Sequence, residues 1–231
     1  RAEIALPRTQ SNLVNEPAEA AGAGIGYVHI AALTAGRADE LKLRLQQLEK
    51  QGARKLILDL RDCAIGENSE GMAAAKLFVA SGTLGSLRGQ TVPTQTFLAE
   101  PAKVVWKNPV TVLISNGTSG AAEVLAAAMA GRGEVVGERT FGSASEQRLI
   151  TLEDGAALFL TVANYYRPDG KSIPEEGVAP SVEVRRAAAD VPEPDDEDSP
   201  RAAEAEQPQP REDTVLKKAI ELFLTPPAPA K

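Results

Sequence analysis

The sequence predicts an α/β fold with a mainly parallel sheet and flanking helices, and three observations carry that prediction. Short apolar runs of strand length, near 26–30, 55–60, 110–114 and 134–136, alternate with segments of helical period. The runs are continuous rather than alternating, as in strands buried on both faces. The loops after Leu60, Ile114 and Val136 are rich in glycine and small hydroxyl residues. Ligands of such sheets sit outside the carboxyl ends of the strands.

The elements follow in order. At the front, RAEIALPRTQSNLV alternates weakly around Ile4 and Leu6, and EPAEAAGAG reads as a loop. No signal peptide is visible, and the abrupt strand-like opening suggests a piece of a longer precursor. GYVHI, from Gly26 to Ile30, is a β run, and Arg37 to Gly52 carries Leu41, Leu45 and Leu48 at helical spacing with Gly52 as its stop. KLILDL, from Lys55 to Leu60, is a strand, and Ser69 to Ala80 keeps Met72, Ala75 or Lys76, and Val79 in helical register. Val110 to Ile114 is again apolar, and Ala121 to Ala130 is an alanine-rich helix. Glu134 to Val136, Leu149 to Leu152, Ala157 to Val162 and Val182 to Val184 complete the strands. Of these, Leu149–Leu152 and Ala157–Val162 form a hairpin around Glu153-Asp154-Gly155.

Charge marks the boundary of the core. The 231 residues carry 25 Lys+Arg and 32 Asp+Glu, a net charge of −7. Between Asp190 and Asp213 stand ten acids against Arg201 and Arg211, so 10 − 2 leaves −8 there and the rest is near neutral. That stretch also holds five prolines and no aromatic residue, too little apolar surface to offset the entropy of ordering. Residues 187–211 are therefore expected to be a disordered acidic linker, with docking to a basic partner as the alternative. The core then occupies 1–186, and 212–231 hold a short amphipathic helix from Thr214, stopped by Pro226 and Pro227. A helix that short is marginal alone and should dock back on the body.

Composition excludes several functions. No apolar run approaches the roughly 20 residues of a membrane span. A single cysteine, Cys63, and a single histidine, His29, rule out a disulfide framework and a structural zinc site. The acidic balance disfavours nucleic acid and anionic membranes. None of the three glycine-bearing loops has the phosphate-cradling GxxxxGK[ST] or GxGxxG pattern. No cofactor is implied.

Other residues have plain structural readings. His29, between Val28 and Ile30, should face outward or lie at an edge. Cys63 follows a strand, where a nucleophile could sit, but its only histidine is distant. Asp62, Glu67 and Glu70 could hold a hard cation, although loop acids are commonly solvated. Trp106 should cover a core edge, and Glu123 suits the positive end of its helix.

Taken end to end, GIGYVHIAAL, GARKLILDLRD, PVTVLISNGTSGAAEVLAAAMAG, VVGERTFGSASEQ, GAALFLTVANYYRPDGKSI and GVAPSVEV resemble the protease domain of the C-terminal processing, or tail-specific, serine peptidases, from about Arg1 to Arg185. The resemblance implies a ClpP/crotonase-like fold, an upstream PDZ domain that this stretch does not include, cleavage of proteins near apolar C-termini, and an extracytoplasmic location such as the periplasm or thylakoid lumen. It also implies a serine–lysine dyad, in which a desolvated lysine takes the serine's proton.

At the matching positions this sequence departs from that machinery. The serine of the TASASE-type stretch falls on Gly120 within Thr118 to Glu123, and the lysine of FGKGxVQ falls on Ser143 within Phe141 to Gln147; Gln147 matches the accessory glutamine. The oxyanion turn, RGNPGG in the family, reads Arg61 to Gly66, leaving Gly66, Ile65 and the helix-opening Ala121 as the oxyanion and substrate-binding positions. Ile65 stands where the family has glycine and should resist a positive φ and crowd a peptide. The segment from Glu123 to Gly137 is about two residues shorter than the family pattern. Ser119 is one step from the lost nucleophile, and a rotation of about 100° should turn it elsewhere; with Thr118 it should cap the helix. Ser143 and Ser145 read as turn formers without an activator.

Two functions follow. One is a noncatalytic relative that binds extended peptides or protein C-terminal segments, scaffolding an active paralogous protease or self-associating through its C-terminal helix. The other is an active C-terminal processing endopeptidase with a rearranged site using Ser119.

Overall fold

The computed structural model describes residues 9–14, 20, 22–185 and 213–224. The expected linker 187–211 and the alternation around Ile4 and Leu6 lie outside these residues. In chain order the elements are β1 (Gln10–Leu13), β2 (Ile25–His29), β3 (Ala32–Leu33), α1 (Arg37–Lys50), β4 (Lys55–Asp59), β5 (Ile65–Gly66), α2 (Asn68–Ala75), β6 (Thr83–Arg88) and β7 (Gln95–Leu98). They continue with β8 (Val110–Ile114), α3 (Ala121–Met129), β9 (Glu134–Gly137), β10 (Ser145–Thr151), β11 (Ala157–Tyr166), α4 (Ile173–Glu176), β12 (Val182–Glu183) and α5 (Thr214–Leu224).

The main sheet has the order β1-β2-β4-β8-β9-β12. All its pairings are parallel except that of β1 with β2. Its strands read as unbroken apolar runs because both faces are covered. Leu56 and Leu58 of β4, with Val112 and Ile114 of β8, face the core beneath α1 and α3. Ile57 and Leu113 face the other way, onto Val215, Ala219 and Ile220 of α5. The C-terminal helix thus docks back on the body as expected, and a buried ion network fastens it. Arg61 donates to both oxygens of Asp213, each at 2.8 Å, and to Asp59 Oδ2 at 2.6 Å. Asp59 also accepts the Tyr27 hydroxyl at 2.7 Å. Lys55 Nζ donates to the Phe223 carbonyl at 2.8 Å, a cation at the helix C-terminus. Val215, Ala219 and Ile220 of α5 are thus buried on the chain's own sheet, while Leu216, Leu222 and Phe223 are only partly buried.

A second, antiparallel sheet in the order β10-β11-β6-β7 corrects the sequence reading, which left 81–100 without structure. ThrLeuGlySerLeuArg and GlnThrPheLeu lack an apolar run; β6 becomes a strand by pairing with β11 and burying Leu84 and Leu87 in the main core, and β7 by pairing with β6. Helix α2 ends at Ala75 rather than Ala80, because Leu77 and Phe78 bond three residues back and tighten the last turn. Trp106 is fully buried, and its indole donates to the Pro109 carbonyl at 3.3 Å. Glu70 caps α1 from outside, accepting from Gly36 N at 3.1 Å and Ala38 N at 2.9 Å; its carboxylate is therefore engaged. Among the described residues no helix is long and apolar enough to cross a membrane.

Candidate active site

Three loops converge at the carboxyl ends of β4, β8 and β9, and hydrogen bonds lock them together. Thr118 Oγ1 accepts from Ser115 N at 3.0 Å and donates to the Leu60 carbonyl at 2.9 Å. Ser119 N donates to the Cys63 carbonyl at 3.0 Å, and Phe141 N donates to the Thr118 carbonyl at 3.0 Å. Thr118 therefore ties the loop after β8 to the loop after β4 and does not cap α3.

The buried carboxylate of Glu123 joins the loop before α3 to the loop after β9. Its Oε2 accepts from Gly120 N at 3.0 Å and Ser143 N at 2.7 Å; its Oε1 accepts from Thr140 Oγ1 at 2.5 Å and Gly142 N at 2.6 Å. Thr140 Oγ1 in turn accepts from Val178 N at 2.8 Å. An acid at the start of a helix is favoured by the helix dipole, but the set of donors gives Glu123 a larger part: it fixes where Gly120 and Ser143 stand.

Between β8 and α3 the backbone turns at Gly120, with φ 55° and ψ −115°. This is a sharp strand-to-helix turn of the kind that presents a nucleophile in hydrolases, in a region where side chains are strained. A Cβ placed there would meet nothing nearer than Asn68 Oδ1 at 4.0 Å, so the position is open. The turn also corrects the expected direction of Ser119, whose hydroxyl lies 2.7 Å from the Ser143 hydroxyl. The rotation of a regular helix does not apply one residue before a turn with positive φ. Ser143 Oγ is 3.4 Å from Glu123 Oε2, a long contact to an oxygen already holding two backbone donors.

The oxyanion positions divide. Gly66 and Ile65 form β5, paired parallel with Ala32 and Leu33 of β3. Ile65 is exposed and has no positive φ; the left-handed residue of this loop is Asp62, at φ 60°. Asp62 is held there by Ser115, whose Oγ accepts from Asp62 N at 3.2 Å and donates to Asp62 Oδ1 at 3.1 Å. The expected strain at Ile65 is thus absent. Gly66 is required for close approach, since a Cβ there would stand 2.6 Å from the Leu33 carbonyl oxygen. Ala121 opens α3, where an N–H has no acceptor inside the helix. Gln147 is exposed on β10 beyond a bulge and is not brought to Ser119.

Sequence reasoning missed Asn68 and Thr140. Asn68, at the start of α2, donates to the Ser145 carbonyl at 3.0 Å, and neither residue carries a motif that would single it out. Cys63 is buried, and burial pushes its thiol up to about 12, so a reactive thiolate does not form near neutral pH. His29 is partly exposed on β2 between buried Val28 and Ile30, as the alternation predicts.

The class that fold and site define is a serine-hydrolase scaffold: a mainly parallel sheet, a half-buried strand-to-helix turn, and small backbone-rich loops around it. Residues 24–184 match the model of peptidase family S41, and the chain belongs to that family. It is 33% identical over 170 residues to the chloroplastic C-terminal processing peptidase of Tetradesmus obliquus, covering 73% of this chain and 37% of that protein. It is likewise 33% identical over 163 residues to the carboxy-terminal processing protease of Bacillus subtilis, covering 69% and 35%. Among solved structures, the photosystem II D1 C-terminal processing protease superimposes with a TM-score of 0.69 at 29% identity, over 80% of this chain and 50% of that one. The chain spans well under half the length of these two curated relatives.

Proposed function

We propose that this chain is a catalytically impaired member of family S41 that holds an extended polypeptide or a protein C-terminal segment without cutting it. The observation that carries this reading is the occupancy of the turn: Gly120 has no side chain where the resemblance places the nucleophile, and the group facing Ser119 is another hydroxyl, Ser143. Serine hydroxyls are weak nucleophiles until a base takes the proton, and a second hydroxyl does not do so at neutral pH. The loops that would position a peptide are nevertheless locked in place by Thr118 and Glu123. Such a domain suits a scaffold or regulator beside an active paralogous protease, in the extracytoplasmic compartment suggested by the resemblance. In this reading 187–211 is an acidic tether that returns the terminal helix to the sheet.

The test is incubation with an unfolded protein ending in an apolar C-terminus, followed by mass spectrometry. The substrate should stay intact while still binding, and time-dependent cleavage would refute the reading. One observation favours the alternative, an active endopeptidase using Ser119: the hydroxyl chain from Ser119 through Ser143 toward Glu123. If cleavage occurs and Ser119→Ala abolishes it, that relay is the mechanism.

A further inference from the structure

The β10–β11 hairpin leaves the body of the protein unprotected. Strand β10 is the last strand of its sheet, with β11 as its neighbour and no strand on its other edge among the described residues; at its start the Ser145 carbonyl accepts from Asn68. Leu149 stands opposite Phe159, while Ile150 stands opposite Leu158 and Arg148 opposite Leu160. Facing residues share a face and successive ones alternate, so the hairpin is apolar on both sides. These side chains, Leu152 and nearby Phe141 are 41% to 72% exposed. Together they leave on the order of 700 Å² of apolar surface, divided between the two faces of the hairpin and Phe141. An open apolar strand edge is a template for pairing with another strand.

We propose that a second copy of this chain covers the hairpin, β10 pairing antiparallel with β10 about a two-fold axis through Gln147. Charge selects the partner and the register. With Gln147 on the axis, Glu146 faces the partner's Arg148 and Arg148 faces the partner's Glu146, a self-complementary pair of the kind a two-fold interface requires. An axis through Arg148 would oppose like charges, and one through Leu149 would set Glu146 against the partner's Leu152. The Gln147 register also carries the tip of each hairpin toward the partner's Phe141, the apolar side chain left exposed near the base of the strand. In this register Thr151 faces the partner's Ser143, whose hydroxyl lies against Ser119, so the interface borders the candidate site without depending on whether that site cuts.

The experiment is sedimentation velocity on the 231-residue chain from about 1 to 100 μM. The expected mass at the upper end is twice the 24.3 kDa chain mass. Leu149→Lys, a charge on the pairing strand itself, should weaken the dimer at least tenfold without changing the circular dichroism spectrum. Glu146→Arg and Arg148→Glu should each weaken it, and the double swap should restore it. A monomer throughout, a dimer indifferent to Leu149→Lys, or a double swap that fails to restore association would each overturn the proposal. Loss of the dimer on deleting α5 with the hairpin variants silent would assign self-association to the helix instead.

Discussion

Replacing Glu123 by alanine removes the one acceptor shared by the two loops that flank the candidate site. Gly120 N, Gly142 N, Ser143 N and the Thr140 hydroxyl all lose their partner at once. A buried donor left unmade costs about 1–3 kcal/mol. The Thr140 hydroxyl can rotate to another acceptor, and the three N–H groups are partly buried, so water offsets some of the loss. The expected destabilisation is about 3–5 kcal/mol, a large share of the roughly 5–15 kcal/mol that stabilises a domain. With a urea m-value of about 2 kcal/mol/M, the midpoint should fall by about 2 M. Urea unfolding followed by circular dichroism reads this directly, and amide exchange should show Gly142 and Ser143 losing protection before the sheet does. Glu123→Gln, which places an NH₂ group against backbone donors, should also destabilise, though by less. A loss below about 1 kcal/mol for Glu123→Ala would refute the assignment of Glu123 as the residue that positions both loops.

Three further outcomes are expected. Gly120→Ser should fold, because the nearest atom to a Cβ there is 4.0 Å away, but should lose about 1–3 kcal/mol to the strained turn; an unchanged or raised melting temperature would contradict the backbone geometry. Arg61→Ala strands buried Asp59 without its cation and should cost about 3–5 kcal/mol, with α5 becoming sensitive to limited proteolysis; a helix as resistant as before would show that its apolar face alone secures it. Burial raises the Cys63 thiol from 9.0 to about 12, and burial with the charge of Glu146 raises the Tyr165 hydroxyl from 10.0 to about 12. The folded state then keeps protons that the unfolded state releases, so stability is full below about pH 9 and falls as the pH rises toward 12. A flat stability profile over that window, with native Cys63 alkylated as fast as a free thiol, would contradict the burial of these groups.

The sheet was legible because burial on both faces leaves a mark in the chain: KLILD and VTVLI have no polar face to alternate. The second sheet left no such mark, since β6 and β7 contain glycine, threonine, serine and glutamine and become strands only by pairing, β6 with β11 and β7 with β6. At the site, the FG and TSGAAE anchors are what assign Gly120 and Ser143 to the dyad positions in the proposed reading, whereas the direction of Ser119 was not legible, because one positive φ at Gly120 redirects the residue before it. The strain expected at Ile65 falls on Asp62 instead, where Ser115 holds it. Asn68 and Thr140 act through contacts distant in sequence, Thr140 with Val178 and Asn68 with Ser145, and no local pattern encodes them.

The most direct measurement of the central claim is treatment with a serine-reactive fluorophosphonate, followed by intact mass and peptide mapping, with the Gly120→Ser plus Ser143→Lys variant alongside. The noncatalytic reading predicts no adduct on the natural chain and an adduct on residue 120 of the variant, since the turn, its open space and its locked loops are already in place. An adduct on Ser119 of the natural chain would contradict it.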